Sequence, residues 1–180
     1  LEVSRQIGDK RGEGVNLGNL GIVYQYLGQY EESISHYKQS IKISRQIGDK
    51  SGEGRHLGNI GNVYQELEDY KNAISHYKQS IEISREIGNK RGEGIALGNL
   101  GDVYSELGQS EEAISYYKES IEIYREIGDK RNEGRHLRNI GTVYRNLGQY
   151  EQAISQYNQS IELFREIEDK RNEGMLLGNL

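Results

Sequence analysis

The stretch that decides the fold is residues 17–21, Leu-Gly-Asn-Leu-Gly, because it returns with few changes every 40 residues. Its later copies begin at Leu57, Leu97 and Leu137, and Leu177 begins a fifth. A fixed period of this length is typical of a solenoid, in which each repeat is stable only when it is stacked on its neighbours. We therefore expect the function to lie on an extended surface rather than in a catalytic pocket.

The composition narrows the class of protein. The 180 residues include no Cys, Pro or Trp, and the formal net charge is −5. The absence of cysteine excludes disulfides and thiolate metal sites, and it favours a reducing, cytoplasmic setting. No segment approaches the roughly 18 apolar residues that span a membrane. Because the chain is acidic, non-specific binding to nucleic acid is also disfavoured.

The repeat boundaries follow the 40-residue period. We expect four whole repeats, at residues 11–50, 51–90, 91–130 and 131–170. Residues 1–10 are expected to be the second helix of a preceding repeat, and residues 171–180 the start of a truncated fifth. Because residues 1–5 match residues 121–125 inside a repeat, the sequence predicts a fragment of a longer array.

Each repeat is predicted to contain two helices. In the first repeat, apolar residues recur at helical spacing over residues 12–27 and again over residues 31–47. The residues are Leu17, Leu20, Val23, Tyr24, Leu27, Ile34, Tyr37, Ile41 and Ile47. Gly28 suits a left-handed conformation after the first helix, Gly48 suits the end of the second, and Asp49 suits the cap of the next helix.

Glycines inside the first helix require a compensating contact. Gly14, Gly18 and Gly21 each cost the helix about 1 kcal/mol relative to alanine. Gly21 recurs in every whole repeat, which predicts a close backbone approach between the paired helices.

These residues resemble the tetratricopeptide repeat. In the first helix that family carries a large residue, then Leu-Gly, then Tyr, and in the second helix it carries an aromatic residue between two small ones. The matching residues of the first repeat are Leu17, Leu20, Gly21, Tyr24, Ser33, Tyr37 and Ser40. The resemblance covers the whole chain. It implies an all-α fold, a right-handed α-solenoid of antiparallel helix pairs, without enzymatic activity.

The repeat departs from the usual pattern of the family. It has 40 residues instead of 34, Leu or Ile replaces the usual Trp, and the closing Pro is absent. It is most similar to the long-repeat branch that includes kinesin light chain and the animal spindle-orientation adaptors, and to arrays in bacterial, notably cyanobacterial, multidomain proteins. Members of that branch bind peptide segments of other proteins in a concave groove, often through a ladder of Asn side chains. The resemblance therefore implies a scaffold for protein–protein interaction.

The polar arc of the first helix is expected to line this groove. Its residues differ between repeats while the apolar arc hardly changes: Ile22 and Tyr26 contrast with Asn62 and Glu66, and Val15 with Arg55. Residues that bind a particular ligand would differ between repeats in this way. Residues on a solvated face that change without selection would differ in the same way. We assign Ile22, Tyr26, Arg55 and Asn62 to the predicted peptide-binding surface.

One position on this arc does not vary. It holds Asn19, Asn59, Asn99 and Asn139. An Asn side chain offers both a donor and an acceptor, so a row of them can hold the backbone of an extended peptide. The alternative is that each Asn bonds a neighbouring helix.

The fourth repeat carries a stripe of arginines on the same arc. They follow i, i+4, i+7 and i+14 spacing, at Arg131, Arg135, Arg138 and Arg145. Such like charges repel one another unless something compensates them, and arginine binds carboxylates bidentately. The stripe predicts a site for an acidic peptide segment or a C-terminal carboxylate. The alternative is internal pairing with Asp102 and Glu106.

Residues for other chemistry are not placed consistently. The histidines His36, His56, His76 and His136 are replaced by Tyr, Gln, Asn or Ala in other repeats, so we expect surface positions or interhelix packing rather than metal binding, and no cofactor. No activating base accompanies the recurring Ser35 position. Two other roles stay open. One is a structural spacer that self-associates end to end through uncapped repeat faces, and the other is a sensor or regulatory array of a larger multidomain protein.

Overall fold

A computed structural model describes residues 8–177 of the chain, with Met175 and Leu177 described by their backbone alone. The predicted end of a preceding repeat therefore lies mostly outside the described residues. The same holds for the last three residues of the predicted fifth repeat.

Helices account for all regular structure in the described residues. They are α1 (Lys10–Tyr26), α2 (Tyr30–Gln46), α3 (Lys50–Glu66), α4 (Tyr70–Glu86), α5 (Lys90–Glu106), α6 (Ser110–Glu126), α7 (Lys130–Asn146), α8 (Tyr150–Glu166) and α9 (Lys170–Leu177). Two helices share each 40-residue period, and the predicted all-α class is confirmed. In the first repeat the helices start slightly earlier than predicted. Leu27 and Ile47 follow the helix ends and are exposed, so neither belongs to the core.

The chain divides into two compact units, Leu1–Gly92 and Glu93–Leu180. We call them the N-terminal unit and the C-terminal unit. Consecutive helices pack together within each unit: α1 to α4 in the first, and α6 to α9 in the second.

The glycines after the helices and the Asp49 cap have the conformations that the sequence predicts. Gly28 and Gly48 have φ of 70° and 71°, the left-handed conformation that glycine adopts without steric cost. Glu68, which replaces glycine at the position of Gly28, has φ of 57°. Asp49 caps α3, because its carboxylate accepts a hydrogen bond from the backbone N–H of Gly52 at 2.9 Å.

Two recurring contacts hold the helices of a pair together. A Cβ on Gly21 would lie 2.6 Å from Cε1 of Tyr37, so the glycine admits the tyrosine ring. The predicted close approach is confirmed, but the group that approaches is this ring rather than the backbone. Ser40 Oγ donates to the carbonyl oxygen of Gly14 at 2.7 Å. Because later residues of α2 meet earlier residues of α1, the two helices are antiparallel.

The same contacts recur in the other three pairs. The ring contacts are Gly61 with Tyr77, Gly101 with Tyr117 and Gly141 with Tyr157. The hydroxyl bonds run from Ser80 to Gly54, from Ser120 to Gly94 and from Ser160 to Gly134, at 2.6–2.9 Å. Each serine thus satisfies a buried carbonyl without adding bulk between the helices.

The apolar core lies between successive pairs. In the N-terminal unit one cluster contains Tyr37, Ile41, Leu57, Ile60, Val63 and Ile83. In the C-terminal unit the corresponding cluster contains Ala113, Tyr117, Ile121, Leu137, Ile140 and Val143. Since burying such a side chain stabilises a fold by about 1.5–3 kcal/mol, a pair depends on its neighbour for most of its stability.

An ion pair between a buried glutamate and a partly exposed arginine adds a polar link between successive pairs. Glu53 in the first turn of α3 is only 6% exposed, and its Oε1 accepts from Arg45 Nε at 2.7 Å. In the C-terminal unit Glu133 accepts from Arg125 Nε at the same distance. The glutamate charge also lies at a helix N-terminus, where the helix dipole stabilises it.

Candidate binding surfaces of the two units

The predicted site residues all lie on the first helices of the pairs, and they fall in two separate units. In the N-terminal unit they are Asn19, Ile22, Tyr26, Arg55, Asn59 and Asn62, on α1 and α3. In the C-terminal unit they are Asn99, Arg131, Arg135, Arg138, Asn139 and Arg145, on α5 and α7. We call each set the first-helix surface of its unit.

The N-terminal unit offers apolar side chains on its first-helix surface. Tyr26 is 87% exposed and Ile22 is 39% exposed, and Arg55 is exposed as well. Asn62 is different, because it is half-buried and its Oδ1 accepts a hydrogen bond from the hydroxyl of Tyr77 at 2.7 Å. Three of these predicted residues are therefore open to a ligand, whereas Asn62 is already part of the fold.

Buried tyrosines of the second helices bring their hydroxyls to this surface. The hydroxyl of Tyr37 donates to Gln25 Oε1 at 3.3 Å, and Gln25 Nε2 in turn donates to Glu66 Oε1 at 2.7 Å. Burial raises the pKa of Tyr37, with Glu66 adding to the effect, so the hydroxyl stays protonated and acts as a donor. A polar chain thus connects α2, α1 and α3.

In the C-terminal unit a carboxylate takes the place of Asn62. Tyr117 donates from its hydroxyl to Asp102 Oδ1 at 2.6 Å, and Asn139 Nδ2 donates to the same oxygen at 3.2 Å. Burial raises the pKa of Asp102, while the hydrogen bond from Tyr117 and the charge of Arg135 oppose that change. Asn139 therefore bonds a neighbouring helix, as in the alternative interpretation of the Asn row.

Arg138 is the most unusual cation of the C-terminal unit. It is half-buried at a position where the other whole repeats carry glycine. Burial and the like charge of Arg135 lower the pKa of Arg138, and Asp102 compensates only in part. Arg135 is exposed and donates from Nη1 to Asn132 Oδ1 at 3.1 Å. Two cations thus share one half-buried carboxylate whose Oδ1 already accepts two hydrogen bonds.

The other two arginines of the predicted stripe differ in their surroundings. Arg131 Nη2 lies 3.2 Å from Oδ2 of Asp169, the residue whose Oδ1 accepts from the backbone N–H of Asn172 in the first turn of α9. Its charge is engaged at that junction. Arg145 is exposed in the last turn of α7, and it has no acidic partner within residues 8–177. Helical spacing alone did not reveal that Arg131 reaches the next pair.

Two histidines fill notches left by glycine on the preceding pair. A Cβ on Gly18 would lie 2.4 Å from Cε1 of His56, and one on Gly98 would lie 2.3 Å from Cε1 of His136. Burial lowers the pKa of both imidazoles to about 4, and nearby arginines, Arg55 for His56, add to the effect. The expected packing role of these two residues is confirmed. The sequence pattern within one helix does not predict that they pack against glycines of the preceding repeat.

The described part of the chain contains neither a metal-binding cluster nor a membrane-spanning helix. Residues 8–177 contain no group of three His, Cys, Asp or Glu side chains arranged to hold a metal ion. Within the same range, every helix is too short or too polar to cross a membrane.

Solved structures with low sequence identity share this fold. Aspartyl phosphate phosphatase F from Bacillus subtilis matches 92% of this chain and 43% of its own, with a TM-score of 0.87 and 17% identity. A signal-transduction ATPase with a tetratricopeptide repeat sensor, from Pyrococcus horikoshii, matches 93% of this chain and 26% of its own, with a TM-score of 0.81 and 23% identity. BtubC (BKLC) from P. vanneervenii matches 86% and 64%, with a TM-score of 0.77 and 16% identity.

The chain spans less than two thirds of the length of each of these three structures. The family follows from the sequence comparisons. No curated protein sequence matches this chain. The family model of the tetratricopeptide repeat matches residues 1–46, 52–126 and 93–166, which together exceed half of the chain. With helix pairs of the same design in both units, the chain belongs to the tetratricopeptide repeat family.

Proposed function

We propose that this chain is a non-catalytic scaffold for protein–protein interaction, and that the first-helix surface of its C-terminal unit binds an acidic segment of a partner protein. The observation that carries the proposal is the half-buried Arg138, whose pKa is lowered by burial and by the like charge of Arg135. The absence of cysteine from the chain supports a cytoplasmic location.

A carboxylate of the ligand would supply the missing charge. Asp102 brings one negative charge against the two positive charges of Arg135 and Arg138, and its Oδ1 also accepts from Tyr117 and Asn139. Arginine binds a carboxylate through two parallel N–H bonds, and partial burial strengthens such a pair. Arg145, exposed in the last turn of α7, would bind a second acidic group of the same segment.

Other residues of the first-helix surfaces would hold the rest of the ligand. Asn139 already donates to Asp102, so we assign its side-chain oxygen to accept from a backbone N–H of the peptide. Asn19, Asn59 and Asn99 would serve their own units in the same way. The exposed Tyr26 would provide an apolar contact on the N-terminal unit. Ile22, four residues earlier, lies on the same face of α1 and would extend this contact.

The test compares partner capture by the parent chain with capture by the Arg138→Glu/Arg145→Glu variant, read by mass spectrometry from a lysate of the source. The control is Lys118→Glu, a single charge reversal at an exposed position of α6. We expect an acidic partner to be lost in the double variant and kept in the control, with the affinity for a synthetic peptide of that partner reduced at least tenfold. Equal affinity for all three chains would disprove the acidic-ligand proposal.

A further inference from the structure

A pocket of about 450 Å³ opens between α2, α3 and α4 in the N-terminal unit, away from the first-helix surface. Its floor is apolar and consists of Ile41, Leu57 and Ile60, all buried residues of the core cluster. Its rim is cationic, with Lys38 and Lys42 on α2. We propose that this pocket is a second docking site, which takes an acidic peptide segment with one apolar side chain at its centre.

No acidic side chain of the described residues pairs with the two lysines of the rim. Lys38 and Lys42 are exposed and lie one helical turn apart, so their like charges repel each other. Neither has an acidic partner among residues 8–177. Arg45, which also lines the pocket, donates to Glu53 and contributes less free charge. A ligand with carboxylates would relieve the repulsion between the two lysines.

A pocket of the C-terminal unit is partly equivalent, because Arg125, Leu137 and Gln159 are the counterparts of Arg45, Leu57 and Gln79. It has about 240 Å³ and is lined by Arg125, Glu133, Leu137, Gln159, Glu162, Leu163 and Glu166. The position of Lys42 is occupied by Glu82, Glu122 and Glu162 in the other three whole repeats. Lys42 is therefore a departure from the repeat pattern, and it reverses the charge at this position in the first repeat only.

The floor and the rim together define the occupant. The apolar floor consists of only three side chains, which suits a single aliphatic side chain more than a flat protein surface. The lysines suit carboxylates on either side of that side chain. Nucleic acid fits poorly, because the chain as a whole is acidic.

The test uses a synthetic peptide in which one leucine is flanked on each side by two glutamates. It is titrated into the ¹⁵N-labelled full chain carrying Arg138→Glu and Arg145→Glu, so that the first-helix surface of the C-terminal unit cannot contribute. We expect amide shifts concentrated between Lys38 and Gln46 and around Gln79. Adding Lys42→Glu should weaken binding about tenfold, because an attraction becomes a repulsion. The variant should fold, since glutamate is the residue of the other repeats.

Two controls make the outcome decisive. Lys118→Glu, at the position equivalent to Lys38 in the C-terminal unit, should leave the affinity unchanged. A peptide with glutamines instead of glutamates should produce no shifts at the pocket. The proposal is overturned if both peptides bind alike, or if Lys42→Glu has no effect. It is also overturned if the same amides shift with protein concentration alone, because a second copy of the chain is then the occupant.

Discussion

The two compact units are built on the same internal contacts, yet their surfaces carry different charges. In both units a tyrosine ring occupies the space above a glycine, and a buried serine bonds a carbonyl of the paired helix. The N-terminal unit has Lys42 at its pocket where the C-terminal unit has Glu122, and the C-terminal unit has Arg138 where the N-terminal unit has Gly58.

This difference shows which part of a repeat is free to change. The conserved contacts involve glycine backbone, small hydroxyls and rings, where the space is full and a larger side chain would clash. The varied positions are at least partly open to solvent, so a change of charge there costs little stability. Near-identical repeats can therefore carry two unlike surfaces.

The largest expected effect tests whether the two units respond alike to acid. His56 and His136 have folded pKa values of about 4, below the ordinary value of 6.5. Their neutral forms stabilise the fold above pH 6.5, and this contribution is lost as the pH falls towards 4, at about 3 kcal/mol for each histidine. Urea unfolding between pH 7 and 4 should show this decrease in the free energy of unfolding.

Replacing each buried histidine separates the two contributions. His56→Asn introduces the residue of the first repeat and should remove roughly half of the decrease, and adding His136→Asn should remove most of the remainder. The control His76→Gln changes a half-buried ring to the residue of the fourth repeat. An unchanged pH dependence in the double variant would contradict the assignment.

The second effect compares two glycines of α3. Gly61→Ala places a Cβ 2.6 Å from the rigid ring of Tyr77, so we expect a loss of about 2 kcal/mol despite the better helix propensity of alanine. Gly58→Ala meets only Ser80 Oγ at 3.5 Å, an ordinary contact, and should stabilise the protein by up to about 1 kcal/mol. Urea unfolding at pH 7 measures both. Effects of the same sign would show that the ring does not limit Gly61.

The smallest effect is expected from Asp102→Asn, a substitution that makes the polar network of the C-terminal unit resemble that of the N-terminal unit. Asp102→Asn keeps an acceptor for Tyr117, as Asn62 is for Tyr77. Because burial raises the pKa of Asp102, its charge is unfavourable in the fold, and its removal should add about 1 kcal/mol or less at pH 7. The gain should shrink at low pH, where the parent carboxylate is protonated as well.

The same variant also bears on ligand binding. Without the charge of Asp102, the Arg135 and Arg138 cations lose their internal counter-charge, so an acidic ligand should bind more tightly. Fluorescence anisotropy with the synthetic partner peptide measures this change. Weaker binding to Asp102→Asn would show that the carboxylate orients the arginines instead of competing with the ligand.

Local features of the fold could be predicted from the sequence, because they depend on neighbours along one helix. The 40-residue period, the left-handed Gly28 and Gly48, the Asp49 cap and the buried Tyr37 all follow from spacing and backbone chemistry. The helix pairs themselves, confirmed by the family and the structure, follow in the same way.

The candidate sites depend on contacts between helices, which spacing along one helix cannot give. The bond from Asn139 to Asp102 and the ion pair of Arg131 with Asp169 both join successive pairs. The pocket beside Lys42 requires the relative placement of three helices. The peptide-binding role of the Asn row and the arginines thus stays a prediction, although the surroundings of each are now defined.

The fit of His56 above Gly18 also limits how such an array changes in length. The triplet Arg-His-Leu occurs at residues 55–57 and 135–137, an interval of 80 residues, and the intervening repeat carries Ala96 instead. Deleting residues 51–90 would bring Ala96 to the glycine notch and leave it empty. Deleting residues 51–130 would bring His136 there and keep it filled. Gain or loss of sequence by recombination is therefore tolerated best in blocks of two repeats.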